Sequence, residues 1–167
     1  GGPVAVPSQD MVLGIYYLTQ ERPGATGEGM IFKSVNEAIL AYENAAVTLH
    51  SRIKVRITKT MPDGTEMTGI VESTLGRFIF NEIIPQDLGF VDRSQKENEL
   101  KLEVDFHVAK KQLKQILEKV INVHGATQTA VTLDDIKAIG YKFSTRAAMT
   151  VSISDMTVPA SKPKLIA

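Results

Sequence analysis

The stretch Val6-Pro-Ser-Gln-Asp-Met-Val-Leu-Gly-Ile-Tyr-Tyr-Leu-Thr19 decides how the rest of the chain is read. Pro7 has no amide hydrogen to donate and pushes Val6 toward an extended conformation, so a strand is expected to end here. Ser8 follows as a helix N-cap, its hydroxyl placed to accept an amide N–H of the first turn. Asp10 in that turn suits the positive end of the helix dipole, and the apolar run from Met11 to Leu18 supplies the helix body. Upstream, Val4 to Val6 is too short for an independent strand and is expected to complete a sheet formed elsewhere.

Working outward, the whole chain has 167 residues, enough to bury roughly 70% of the surface its unfolded form exposes. With 43% hydrophobic and 23% charged residues, the composition is that of a globular protein. Lys plus Arg and Asp plus Glu are both 19, so net charge does not point to a polyanionic partner, whereas a self-contained nucleic-acid-binding domain is more often basic. Cysteine is absent, which excludes a disulfide framework, a thiolate metal site and a thiol nucleophile in this sequence. A reducing, cytoplasmic setting is compatible with that. No apolar run approaches the roughly 20 residues needed to span a bilayer. Gly1-Gly2-Pro3-Val4 shows neither a basic n-region nor an apolar h-region and lacks a Met, as expected of a segment that begins mid-protein or carries a cloning remnant.

Gln20 to Gly29 reads as a loop. Its Gly24, Gly27 and Gly29 lack the Gly-Lys-Ser/Thr of a phosphate-binding loop, so a flexible connector is expected. Met30 to Lys33 is a short strand, and Ser34 to Glu37 is a capping box opening a helix that should run to about Val47. Arg52 to Thr58 alternates strictly, with Ile53, Val55 and Ile57 on one face and Arg52, Lys54 and Arg56 on the other. Pro62-Asp63-Gly64 turns the chain and Glu66 to Glu72 returns, forming a hairpin. Its basic face either meets phosphates or is a solvated face whose charges discourage edge-to-edge association.

Thr74 to Ile84 is expected to be a helix stopped by Pro85, and Asp87 to Asn98 a polar loop. Leu100, Leu102, Val104 and Phe106 then alternate as a strand or extended lead-in, with Asp105 placed to cap the next helix. That helix carries Phe106, Ala109, Leu113, Ile116, Leu117, Val120 and Ile121 at three- and four-residue spacing, with Gly125 as its C-cap. Thr132 to Asp135 reads as another capping box, starting a short helix that Gly140 ends. Ala147 to Ile153 is strand or helix. The fold class is α+β, with several short helices, a β-hairpin and short strands.

Catalytic groups are not expected in this sequence. His50, His107 and His124 fall in separate elements, none at the spacing that puts two ligands on one helix face. No Gly-x-Ser-x-Gly elbow occurs, and Asp134-Asp135 is better explained by capping than by acid/base work.

The opening stretch also resembles the segment of the largest subunit of bacterial RNA polymerase that follows its catalytic aspartate loop. The resemblance continues in order through Gly27-Glu-Gly29, Leu49-His50, Val55-Arg56, Gly76-Arg77, Phe80-Asn81-Glu82, Leu133-Asp134, Ile136-Lys137, Thr145-Arg146-Ala147 and Asp155-Met156. It implies that residues 1–7 are the last strand of a double-psi barrel, 8–158 the pore domain bordering the secondary channel, and 159–167 a tail cut before the rim helices. It further implies partners in the β, α and ω subunits and the rest of β′, with DNA and RNA in the complete enzyme and no membrane. Magnesium would belong to that enzyme, since the catalytic aspartates lie upstream of this stretch.

By matching blocks, Gln9 and Asp10 stand nearest the active centre and are expected to face the channel, Gln9 as a hydrogen-bonding group for RNA or nucleotide. Arg146 is a second candidate, facing phosphate or fixing the architecture. Arg52, Lys54 and Arg56 are further phosphate-facing candidates. In some bacteria this region and ω form a guanosine tetraphosphate pocket using a lysine and a tyrosine around the position of Asp134. Thr127 and Ala138 stand there here, so titrating the assembled enzyme should reveal no binding at that place, and saturable binding lost on changing Asp134 would contradict this. The alternative to a polymerase segment is a free-standing module that binds a protein through its apolar helix faces or RNA through the hairpin.

Overall fold

The computed structural model describes residues 7–157. Helix α1, Gln9–Leu18, begins where Ser8 caps it: the Met11 amide donates to Ser8 Oγ at 3.2 Å. Met11, Gly14, Ile15 and Leu18 are buried, the spacing of one helical face. Strand β1, Ile31–Phe32, lies parallel to β2, Arg52–Thr60, and β2 pairs antiparallel with β3, Glu66–Thr74, giving the sheet order β1-β2-β3. The hairpin register runs from Arg52 opposite Thr74 to Thr60 opposite Glu66. At its turn Gly64 takes φ 88°, a left-handed value that glycine adopts without penalty. Asp63 Oδ1 there accepts from the Thr65 amide at 3.0 Å. Between β1 and β2 lies α2, Val35–Glu43, and after β3 comes α3, Leu75–Asn81, capped by Thr74. The architecture is α+β. The expected Val4–Val6 strand and the 159–167 tail lie outside the described residues.

Several boundaries differ from the sequence reading, each for a local reason. The capping box of α2 forms, with the Glu37 amide donating to Ser34 Oγ at 3.1 Å and the Lys33 amide to Glu37 Oε1 at 2.8 Å. The helix stops at Glu43 and not near Val47, because Asn44 Nδ2 donates to the Leu40 carbonyl and Ala45 turns left-handed at φ 62°. That turn delivers Val47 and Leu49 into the core. Helix α3 ends at Asn81, short of Ile84, because the Asn81 side chain is committed to another segment. Its Nδ2 donates to the Val104 carbonyl at 2.7 Å, and its Oδ1 accepts the Val104 amide at 3.0 Å.

The segment around Leu100 to Phe106 forms no strand; side chains of Asn81 and Gln86 take the hydrogen bonds a ladder would have supplied. Asp105 does not cap a helix. Helix α4 starts later, at Lys110, with the Ala109 amide donating to Gln112 Oε1.

Helix α4, Lys110–Thr157, is two helices joined at Gly125, whose φ of 86° breaks the helical path. Residues 110–124 bury Leu113, Ile116, Leu117 and Val120 completely. Beyond Gly125 the helix is continuous, so Thr132-Asp135 starts nothing, Gly140 ends nothing, and the stretch around Ala147 is helical. Gly140 serves a different purpose. A Cβ on Gly14 of α1 would stand 1.8 Å from the Gly140 carbonyl oxygen, and a Cβ on Gly140 would stand 3.0 Å from Met11 Cα. The two glycines let α1 and α4 meet backbone to backbone. Around this seam Ile15, Leu18, Phe78, Phe80, Ile53 and Leu117 form one core.

Candidate functional site at the two ends of the first helix

At its N-terminal end α1 presents Ser8, Gln9 and Asp10, all exposed. Of these only Asp10, with Leu13, lines an open groove of about 500 Å³ that it shares with Tyr141, Ser144, Thr145 and Met149 on one side of α4. Ser144 and Thr145 both donate their hydroxyls to the Tyr141 carbonyl, within their own helix. What remains is an apolar rim around one carboxylate. Leu13, Tyr141 and Met149 are 45%, 70% and 59% exposed, an uncovered patch that polar solvent does not favour.

Arg146 follows Thr145 but turns to another neighbour. Its Nη1 donates to Tyr42 Oη at 2.6 Å, and its guanidinium lies over the rings of Tyr42 and Phe143, tying α4 to α2. The structure thus brings Asp10 to the groove wall while Arg146 occupies the α2 side.

The C-terminal end of α1 is the reverse of the N-terminal one, because nearly every polar group is taken. His107 Nε2 donates to the Tyr16 carbonyl at 2.8 Å and His50 Nε2 to the Tyr17 carbonyl at 2.7 Å. The buried Arg77 donates from Nε to the Thr19 carbonyl at 2.9 Å. Thr19 Oγ1 donates to the Ile15 carbonyl and accepts the Val108 amide.

From this cap a charge cluster spreads to the hairpin. Arg77 Nη1 meets Glu21 and Asp105, and Arg52 meets Glu21, Asp105 and Glu72, each ion pair at 3.1 to 3.2 Å. Ser73 donates at 2.6 Å to Asp105 Oδ1, the oxygen that Arg77 also meets, while Arg52 holds Oδ2. Arg52, Lys54 and Arg56 share a face of β2 as expected, opposite Thr74, Glu72 and Ile70. Arg52 is occupied by three carboxylates, while Arg56 is exposed. Thr127, Asp134 and Ala138 are exposed positions of α4, seven and four residues apart, a spacing that puts them on one side of the helix.

Protonation follows the same geography. Burial pushes the His50 imidazole below its ordinary value, the bond to Tyr17 partly opposes this, and the nearby Arg22 and His107 reinforce it. For Arg52, burial acts to lower its pKa, but the carboxylates of Asp105, Glu21 and Glu72 outweigh it and the guanidinium is held more firmly charged. Glu82 is raised by burial alone. Among the described residues no group of three or more His, Asp or Glu is placed to hold a metal ion, and no helix is long and apolar enough to cross a membrane.

The profile of the RNA polymerase Rpb1, domain 3 family matches residues 1–156. The chain belongs to that family. It is 71% identical over 166 residues to the DNA-directed RNA polymerase subunit beta' of Lachnoclostridium phytofermentans, covering 99% of this chain and 13% of that protein. The subunits of the same name from Acetivibrio thermocellus and Caldicellulosiruptor saccharolyticus are 58% and 59% identical, over 99% and 100% of this chain and 14% of each relative. The chain therefore spans about one-seventh of the length of these curated relatives.

For this member of the Rpb1 domain 3 family, the sequence reading missed the helix cap. Arg77 carried a signal: a charged residue inside the apolar run from Leu75 to Phe80 must find partners when that run is buried. His50 and His107 carried none, since 56 residues separate them in the chain and only the fold brings both to one helix end. Glu103, fully buried and paired with Arg93 at 2.9 Å, was likewise unmarked.

Proposed function

We propose that this chain is the part of the largest subunit of a bacterial DNA-directed RNA polymerase that shapes and lines the secondary channel. That passage serves nucleoside triphosphates on their way to the active centre and the 3′ end of backtracked RNA on its way out. The observation that carries this reading is the family match over residues 1–156, with relatives named as that subunit. In the complete cytoplasmic enzyme the chain is continuous with the rest of β′ and packs with the β, α and ω subunits around DNA and RNA. Nucleotidyl transfer uses magnesium held by residues outside this chain, which is inert alone.

The geometry supports a lining role. Gln9 and Asp10 stand exposed at the start of a helix whose body is locked against α4. Gln9 offers both an amide donor and a carbonyl acceptor to RNA or nucleotide. Asp10 puts a negative charge beside it, which discourages phosphates from lodging there. Arg146, tied to Tyr42, fixes α4 against α2. The uncovered patch of Leu13, Tyr141 and Met149 is the kind of surface that the remainder of a large assembly covers.

The test is to find the native polypeptide. Trypsin releases the peptide Phe78–Arg93, and mass spectrometry of size-fractionated source cells should place it in a chain several times heavier than 18.3 kDa, co-purifying with β and α subunits. Recovery only from a free chain of about this size would overturn the proposal in favour of a free-standing interaction module.

A further inference from the structure

We infer that His50, His107 and Arg77 are positioning residues that hold α1 by its C-terminal carbonyls and so set where Gln9 and Asp10 stand. The functional half of this inference rests on the secondary-channel reading above.

The last carbonyls of a helix have no partner within it. The common solution is a left-handed residue just past the end, but the C-cap Thr19 has φ −94° and ψ 5° and continues no such motif. Donors from three distant parts of the chain take its place. His107, before α4, takes Tyr16; His50, before β2, takes Tyr17; Arg77, in α3, takes Thr19. Between them the Leu18 carbonyl lies so close to Gly76 that a Cβ there would be 1.8 Å from the oxygen. A carbonyl only accepts, so both imidazoles carry hydrogen on Nε2.

The rings add a rotational constraint. His107 lies 4.1 Å from the Tyr16 ring centroid and His50 meets the Tyr17 ring edge-on at 4.9 Å. Two consecutive residues, 100° apart around the helix axis, are each gripped at backbone and side chain. The Gly14–Gly140 contact stops the helix from sliding. A helix of ten residues is a rigid rod of about 15 Å, so a constraint at one end fixes the other. Arg77 also shares Glu21 and Asp105 with Arg52, which registers the helix end to the hairpin base.

The experiment uses the complete largest subunit in assembled polymerase. His107→Phe keeps an aromatic ring against Tyr16 but removes the donor; His107→Gln keeps an N–H donor. Amide hydrogen exchange reads the clamp, and KM and kcat for nucleoside triphosphate read the channel. The expected result for His107→Phe is exchange of α1 amides faster by roughly five- to tenfold, the factor one hydrogen bond supplies, with α3 and β2 unchanged. KM should rise severalfold at nearly constant kcat, and His107→Gln should restore both. Unchanged α1 exchange would overturn the positioning role. Faster exchange spread equally over α3 and β2 would also overturn it, as loss of general stability. Faster exchange confined to α1 with unaltered KM would uphold the clamp and overturn the channel reading.

Discussion

The α1–α4 seam and the β2–β3 hairpin each join two elements side by side, by opposite means. In the seam two glycines face each other and the backbones nearly touch, so that no side chain separates Gly14 from Gly140. In the hairpin nine paired residues on each strand are held by a backbone ladder, and Ile53 and Val55 anchor the base while Arg56 and the turn stand in solvent. The seam depends on shape and has no slack. The hairpin depends on local alternation and tolerates change along most of its length.

The largest expected effect separates the two directly. Gly14→Ala drives a methyl group into the Gly140 carbonyl, backbone against backbone, and should cost about 3 kcal/mol in urea melts of the 167-residue chain. Gly69→Ala in β3 meets only the Leu100 Cδ1 at 2.9 Å, the movable end of a side chain, and should stay within about 1 kcal/mol. Equal costs would break the comparison.

A charge deletion should give a middle-sized contrast. Arg77→Ala leaves the buried Thr19 carbonyl without its donor and strips Glu21 and Asp105 of one partner, for a loss of about 2 kcal/mol in the same melts. Arg56→Ala, on the exposed hairpin face, should change stability by less than about 0.5 kcal/mol. A larger loss at Arg56 would reveal a contact that the fold does not show.

Acid gives the smallest and most local effect. His50 has a depressed pKa in the fold, so below its ordinary value of 6.5 the unfolded state binds more protons and folding weakens. Stability tied to His50 is therefore complete above pH 6.5 and declines as the pH falls below it, until the folded imidazole also protonates. Asp63 is shifted down by its bonds to Thr65, so its contribution to the turn lasts to lower pH and fades only below 3.8. Amide exchange followed from pH 7 to 4 should loosen the end of α1 before the hairpin turn; the reverse order would contradict these shifts.

Legibility followed the same division. The hairpin was readable from Arg52 to Thr58 and from Glu66 to Glu72, two residues short of the end of each strand, because alternation and the Pro62-Asp63-Gly64 turn are local signals. Ser8, Ser34 and Gly125 were readable because caps and helix breaks act within a turn. Gly140 was read as a helix end because glycine is a weak helix former, yet the partner that explains it, Gly14, is 126 residues away. Asp105 has the position of a cap in the sequence, but its partners Arg52, Arg77 and Ser73 come from the hairpin and α3, which no local signal reveals. At the candidate site, the exposed first-turn places of Gln9 and Asp10 follow from the local Ser8 cap. The three donors that hold α1 were not legible, since their role exists only once the chain is folded.

The central claim is that the N-terminal end of α1 faces the secondary channel. A photoreactive amino acid placed at Gln9 in the complete subunit, assembled into polymerase and paused in a backtracked complex, tests it most directly. The account predicts a cross-link from that position to the 3′-terminal nucleotides of the extruded RNA, and none from the same group placed at Arg56. Cross-linking from Arg56 and not from Gln9 would contradict it and move the nucleic-acid-facing surface to the hairpin.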